Sequence, residues 1–127
     1  MTSFRSSLGR HVLADLYECD AALLDDVSLV ERALRSAALA AGATIVGAAF
    51  HRFVPQGASG VLLVAESHLS VHTWPEHRFA AADLFTCSPA LDADAALTVL
   101  RGMFAAERLV VRDLPRGHEL GSPSGSR

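Results

Sequence analysis

The chain has few of the features that mark specialised architectures. Its uninterrupted apolar runs are short, Val61 to Ala65 being among the longest, and a helix that spans a bilayer needs about 20 apolar residues. The opening MTSFRSSLGRH lacks the apolar segment of a secretory signal, so a cytoplasmic location is expected. The net charge is −3 and no lysine or arginine stripe is visible, which argues against a nucleic-acid footprint. There are only two cysteines, Cys19 and Cys87. They suit neither a disulfide framework nor a zinc spacing, and in a reducing compartment they stay thiols.

What is present fits one soluble domain. A chain of 127 residues, half of them hydrophobic and a fifth charged, buries roughly two thirds of its unfolded surface. HVLADLYE (11–18) reads as a strand. In DDVSLVERALRSAALAAG, Val27, Val30, Leu34, Ala37, Ala38 and Ala41 recur at helical spacing. Asp26 or Ser28 can cap its start and Gly42 its end. ATIVGAAFHRFV is β-branched and aromatic, and PQGASG is a turn cluster. The apolar GVLLVA suits a strand buried on both faces, and HLSVHTW and FAAADLFTC alternate. SPALDADAALTVLRGMFAAE is a second helix starting near Asp92 or Asp94, and RLVVRDL is a last strand.

Short links between the four central strands demand antiparallel pairing. The predicted fold class is therefore α+β: a two-layer sandwich, a mainly antiparallel sheet with two helices on one face. The bare face calls for a cover, and a second copy of the chain is the simplest one. Residues 1–9 are expected to form a loose arm and 116–127 a polar tail around a single domain spanning 1–127.

The chemistry concentrates in AESHLSVHTWPEH (65–77), which holds three histidines, two serines, two glutamates and the only tryptophan. On a strand, His68, Ser70, His72 and Trp74 share one face, and Leu69, Val71 and Thr73 the other. Asp83, Phe85 and Cys87 share a face of the next strand. Pairing of the two strands could bring His72 near Cys87, if register permits. His68 and His72 also raise a metal site. Four strand residues separate their Cα atoms by about 13 Å, however, which strains two imidazoles that must each reach a zinc at ~2.1 Å.

ESHLSVHTWPE followed by AADLFTC resembles the signature of the bacterial S-adenosylmethionine decarboxylases, pyruvoyl-dependent enzymes that cut themselves at a Glu-Ser bond. LGRHVLADLYECD and GATIVGAAFHRFVPQGASGV resemble the family's N-terminal half. The likeness covers roughly residues 8 to 115, and Ser88 stands where glycine is expected. It implies scission between Glu66 and Ser67 into a β chain, 1–66, and an α chain, 67–127. Ser67 becomes the pyruvoyl cofactor and takes the substrate amine as a Schiff base, with no metal and no pyridoxal phosphate. The resemblance makes His72 the proton-transfer residue in processing and Cys87 the proton donor in catalysis. It points to Phe53, Glu76 and Ser59 for substrate binding, with Trp74 walling the site. The implied reaction is decarboxylation of S-adenosylmethionine for spermidine synthesis, by a homodimer of cleaved protomers.

Two alternatives share this sequence pattern. The cleavage chemistry does not see adenine, so the substrate could be a basic amino acid such as arginine or ornithine. An uncleaved, non-catalytic dimer partner is the other. Cys19 reads as buried packing.

Overall fold

The computed structural model describes residues 7–120. Residues 1–6 of the expected arm and 121–127 of the expected tail lie outside that range. The elements are β1 (Gly9–Tyr17), α1 (Ala21–Leu24), α2 (Val27–Ala40), β2 (Ile45–Arg52), β3 (Ala58–Val64), β4 (Ser67–Trp74), β5 (Phe79–Thr86), α3 (Ala93–Met103) and β6 (Arg108–Arg116). A single 3₁₀ turn, Pro75–His77, links β4 to β5. No described helix is long and apolar enough to cross a membrane.

The strands form one sheet in the order β2-β3-β4-β5-β1-β6, and every neighbouring pair is antiparallel. The helices lie on one face. Asp26 caps α2 by accepting from the Leu29 amide, and Asp92 caps α3 by accepting from Ala95. Each cap satisfies a backbone donor that the first turn leaves unpaired. Gly42 ends α2 at φ +82°, a left-handed conformation that glycine adopts freely. The one-turn helix α1, capped by Asp20, is too short for periodicity to reveal and was not anticipated.

The core is the seam between helices and sheet. Val30, Ala33, Leu34 and Ala37 of α2 and Ala96 and Leu100 of α3 are buried with Leu16, Leu62, Leu69, Val71 and Leu84. Alanine at so many contact positions lets the helices sit close to the sheet. Burial on this scale supplies the dominant favourable term in folding, about 25 cal/mol per Å² of apolar surface.

Among the described residues, nothing covers the opposite face. In β3, Leu62 and Val64 are buried, whereas Leu63 is 56% exposed. The expectation of a strand buried on both faces is thus met on the helix side only. The fully apolar run reflects an alternating strand whose second face is also apolar. The last strand runs two residues past RLVVRDL, and the Leu8 amide donates to the carbonyls of Arg116 and Gly117.

Candidate active site

Ser67 is the first residue of β4, directly after the two-residue turn Ala65-Glu66. Glu66 sits at φ +61°, a region that costs a non-glycine residue roughly 1–3 kcal/mol. The Glu66 carbonyl accepts from the Cys87 amide at 3.4 Å. Ser67 pairs with Thr86 across β4 and β5, and its Oγ donates to Thr86 Oγ1 at 2.8 Å. The register thus brings Cys87 to the Glu66-Ser67 peptide. This peptide has what an acyl shift needs: a hydroxyl at its nitrogen side, a strained backbone, and an amide donor on the carbonyl that would become an oxyanion.

His72 is elsewhere. It pairs with Ser59 on β3 and Ala81 on β5, five residues along β4 from Ser67 and on the open face. The expected approach of His72 to Cys87 does not occur within one chain. The β4–β5 link at residues 75–78 sets a register that leaves Cys87 six residues beyond His72's partner Ala81. His72 Nδ1 instead shares a 2.8 Å hydrogen bond with Ser59 Oγ.

The remaining candidates gather around His72, at the end of the sheet away from Ser67. Phe53 follows β2, 46% exposed, with its ring against His51 at 4.7 Å. Trp74 lies 6.4 Å from the His72 ring and 5.6 Å from Phe79. Glu76 is exposed in the 3₁₀ turn. A cavity of about 260 Å³ is lined by His51, Ser59, Val61, Ser70 and His72 among others. A second, of about 360 Å³, is lined by Tyr17, Trp74, His77 and Phe79. The candidates therefore form two half-sites: Glu66, Ser67 and Cys87 at one end, and Phe53, Ser59, His72, Trp74 and Glu76 at the other.

Between them lies a cluster that sequence reasoning assigned no role. Asp83 Oδ2 accepts from His11 Nε2 at 2.6 Å and from His68 Nε2 at 3.0 Å, and Ser70 Oγ donates to Oδ1. Burial pushes the Asp83 carboxyl up, but donation from His11, Ser70 and His68 outweighs it and holds the group below its usual value. The ligand atoms of His11, His68 and Asp83 lie within 4.8 Å of one another, close enough to suggest a metal. Arg116 Nη1, however, meets His11 Nδ1 at 2.9 Å. A guanidinium only donates, so Nδ1 accepts and the ring proton sits on Nε2, facing Asp83. A metal on Nε2 would need that proton moved to Nδ1, against Arg116. The cluster suits a hydrogen-bonded carboxylate. His68 is thus engaged with Asp83 and His72 with Ser59, so the spacing of the two histidines makes no shared metal site.

Cys19 is fully buried, and its thiol donates to the Leu16 carbonyl. Burial pushes the thiol up to about 11, slightly opposed by Arg78. It is packing.

Residues 10–117 match the family model described as S-adenosylmethionine decarboxylase. The chain is similar to the S-adenosylmethionine decarboxylase proenzymes of Thermosipho africanus and Thermotoga maritima, at 46% and 48% identity over 122 residues, 94% of this chain and 94% of each relative. A crystal structure of the adenosylmethionine decarboxylase from Aquifex aeolicus superposes with a TM-score of 0.83 at 34% identity, over 96% of this chain and 99% of that one. The Trypanosoma brucei AdoMetDC monomer shares the fold at 17% identity, with a TM-score of 0.60 over 80% of this chain and 44% of that one. A model spanning nearly all described residues, together with near-half identity to proenzymes over almost the whole length, shows that the chain belongs to the S-adenosylmethionine decarboxylase family.

Proposed function

We propose that this chain cuts itself between Glu66 and Ser67 and then decarboxylates S-adenosylmethionine to the decarboxylated aminopropyl donor and carbon dioxide. The observation that carries the reading is the state of the Glu66-Ser67 peptide: left-handed at Glu66, with its carbonyl on the Cys87 amide and the Ser67 hydroxyl beside it. Ser67 Oγ attacks the Glu66 carbonyl carbon, the C–N bond breaks and an ester forms. Relief of the strained turn offsets part of the stability lost with the amide. A base then removes the Ser67 Cα proton and the ester leaves as the Glu66 carboxylate. The dehydroalanine left at position 67 tautomerises to an imine, and water adds to its α carbon and expels ammonia, leaving the pyruvoyl ketone. That group supplies the electron sink for decarboxylation.

His72 is the base in this reading, and it comes from a second copy. Within one protomer the Cα atoms of Ser67 and His72 stand about 16 Å apart, five residues at ~3.3 Å each. The Ser67 hydroxyl points to the helix side, so its Cα hydrogen leans toward the open face. That face is where a second copy would pack and where His72 lies. A two-fold axis that brings the partner's His72 to Ser67 also brings the partner's Phe53, Ser59, Trp74 and Glu76, joining the two half-sites. Phe53 offers a ring to adenine, and Glu76 can accept both ribose hydroxyls. Ser59 orients the His72 ring. Cys87, whose amide meets the Glu66 carbonyl, supplies in this reading the thiol that protonates the substrate carbon after carbon dioxide leaves.

Denaturing electrophoresis and intact mass measurement test the reading. The wild type is expected as two pieces, 1–66 and 67–127, the second with a ketone in place of its amino terminus. Ser67→Ala is expected as one 13.4 kDa chain. A free α-amino serine at position 67, or an uncut wild type, would overturn it.

A further inference from the structure

We propose that the hydroxyl of Thr86 is the positioning group for self-cleavage, a proposal that rests on reading Ser67 as the scission point. Thr86 is fully buried. Its Oγ1 accepts from Ser67 Oγ at 2.8 Å and from the Ser88 amide at 2.9 Å, and donates to the Ser88 carbonyl at 3.3 Å. A hydroxyl has one proton and two lone pairs, so Thr86 is saturated. That fixes the direction of the first bond: Ser67 donates, and both its lone pairs stay off Thr86. Threonine in a strand has a stiff χ1, so the acceptor does not wander. A serine on its own can visit three rotamers; this one is tied to a single anchor.

The anchor is next to the one on the electrophile. Thr86 holds the attacking oxygen, and the amide of Cys87 holds the oxygen of the carbonyl under attack. Two consecutive residues at the end of β5 therefore clamp both partners of the bond that forms. In the step itself, Ser67 Oγ bonds to the Glu66 carbon, the C–N bond breaks, and the hydroxyl proton passes to the departing nitrogen. Thr86 takes no proton, because its own chain of hydrogen bonds ends on the Ser88 carbonyl, which is not a base.

The test follows the full-length chain into its two pieces with time after cell-free synthesis, at a temperature well below unfolding. Thr86→Val keeps the shape and removes the acceptor; it is expected to cleave about ten- to a hundred-fold more slowly than wild type. Thr86→Ser restores the acceptor and is expected near the wild-type rate. Thr86→Cys, a weak acceptor of similar size, is run alongside so that a folding defect in one variant does not decide the result. Circular dichroism on each variant in the Ser67→Ala background reports fold separately from cleavage. Wild-type cleavage rates in folded Thr86→Val and Thr86→Cys, or a Thr86→Ser as slow as they are, would overturn the role of Thr86. A wild type that is uncut, or cut elsewhere, would instead overturn the reading of Ser67.

Discussion

Ser67 and His72 lie on the same strand, five residues apart, and their side chains leave opposite faces of the sheet. Neither can serve the other within one chain. Two defective chains should therefore rescue each other. Ser67→Ala and His72→Ala proteins with different tags, each uncut when expressed alone, are expected to yield cleaved His72→Ala chains when co-expressed. In the mixed dimer the Ser67→Ala protomer contributes the intact His72. Electrophoresis with tag-specific detection checks this, and a mixture as uncut as its parents would show that the histidine does not act across the two copies.

Cys87 contributes two different groups at the scission point. Its amide holds the Glu66 carbonyl, and its thiol is the proposed acid in catalysis. A side-chain change touches only the second. Cys87→Ala is expected to cleave still, yet to lose about a hundred-fold or more of its decarboxylation rate. Protonation at the wrong carbon would convert the pyruvoyl terminus to alanine. Carbon dioxide release and the mass of the 67–127 piece measure the two effects separately. A Cys87→Ala protein that turns over normally would remove the thiol from the mechanism.

The Asp83 carboxyl, held below its usual value despite burial, makes stability depend on pH. A depressed carboxylate stabilises the fold fully above the unfolded value of ~3.9. That contribution is lost as pH falls through the folded value, because the unfolded chain takes the proton first. Urea midpoints of the Ser67→Ala protein are expected to fall between about pH 5 and pH 3. Asp83→Asn is expected to start lower at pH 7 and to fall less over the same range. Parallel curves for the two proteins would show that Asp83 has no part in the acid limb.

The arrangement of strands and helices was legible because alternation and helical spacing are local. Val27 to Ala41 and Ala96 to Phe104 predict their inward faces directly, and the caps at Asp26 and Asp92 fall among the expected positions. What was not legible depends on pairing between distant segments. Nothing near His11 reveals that β1 inserts between β5 and β6, so its contact with Asp83 was invisible. The same applies to Thr86, which reads as an ordinary strand threonine until the register sets it opposite Ser67. The placement of Cys87 depended on the same unknown. A sequence face shared by Asp83, Phe85 and Cys87 says nothing of which β4 residue each one meets.

The strand order has a consequence for the protein once cut. A break ahead of Ser67 leaves β1, β2 and β3 on one piece and β4, β5 and β6 on the other. Three of the five ladders, β3–β4, β5–β1 and β1–β6, join different pieces, and β1 is gripped along both edges by its counterpart. The halves are woven together, so scission releases nothing. Yet a melted mature enzyme is two separate threads that must find each other in a bimolecular search, with β1 threading into a slot. The precursor met that task as one continuous strand of polymer. Self-cutting therefore works as a ratchet: the weave is laid down once, and afterwards the molecule persists by never coming undone.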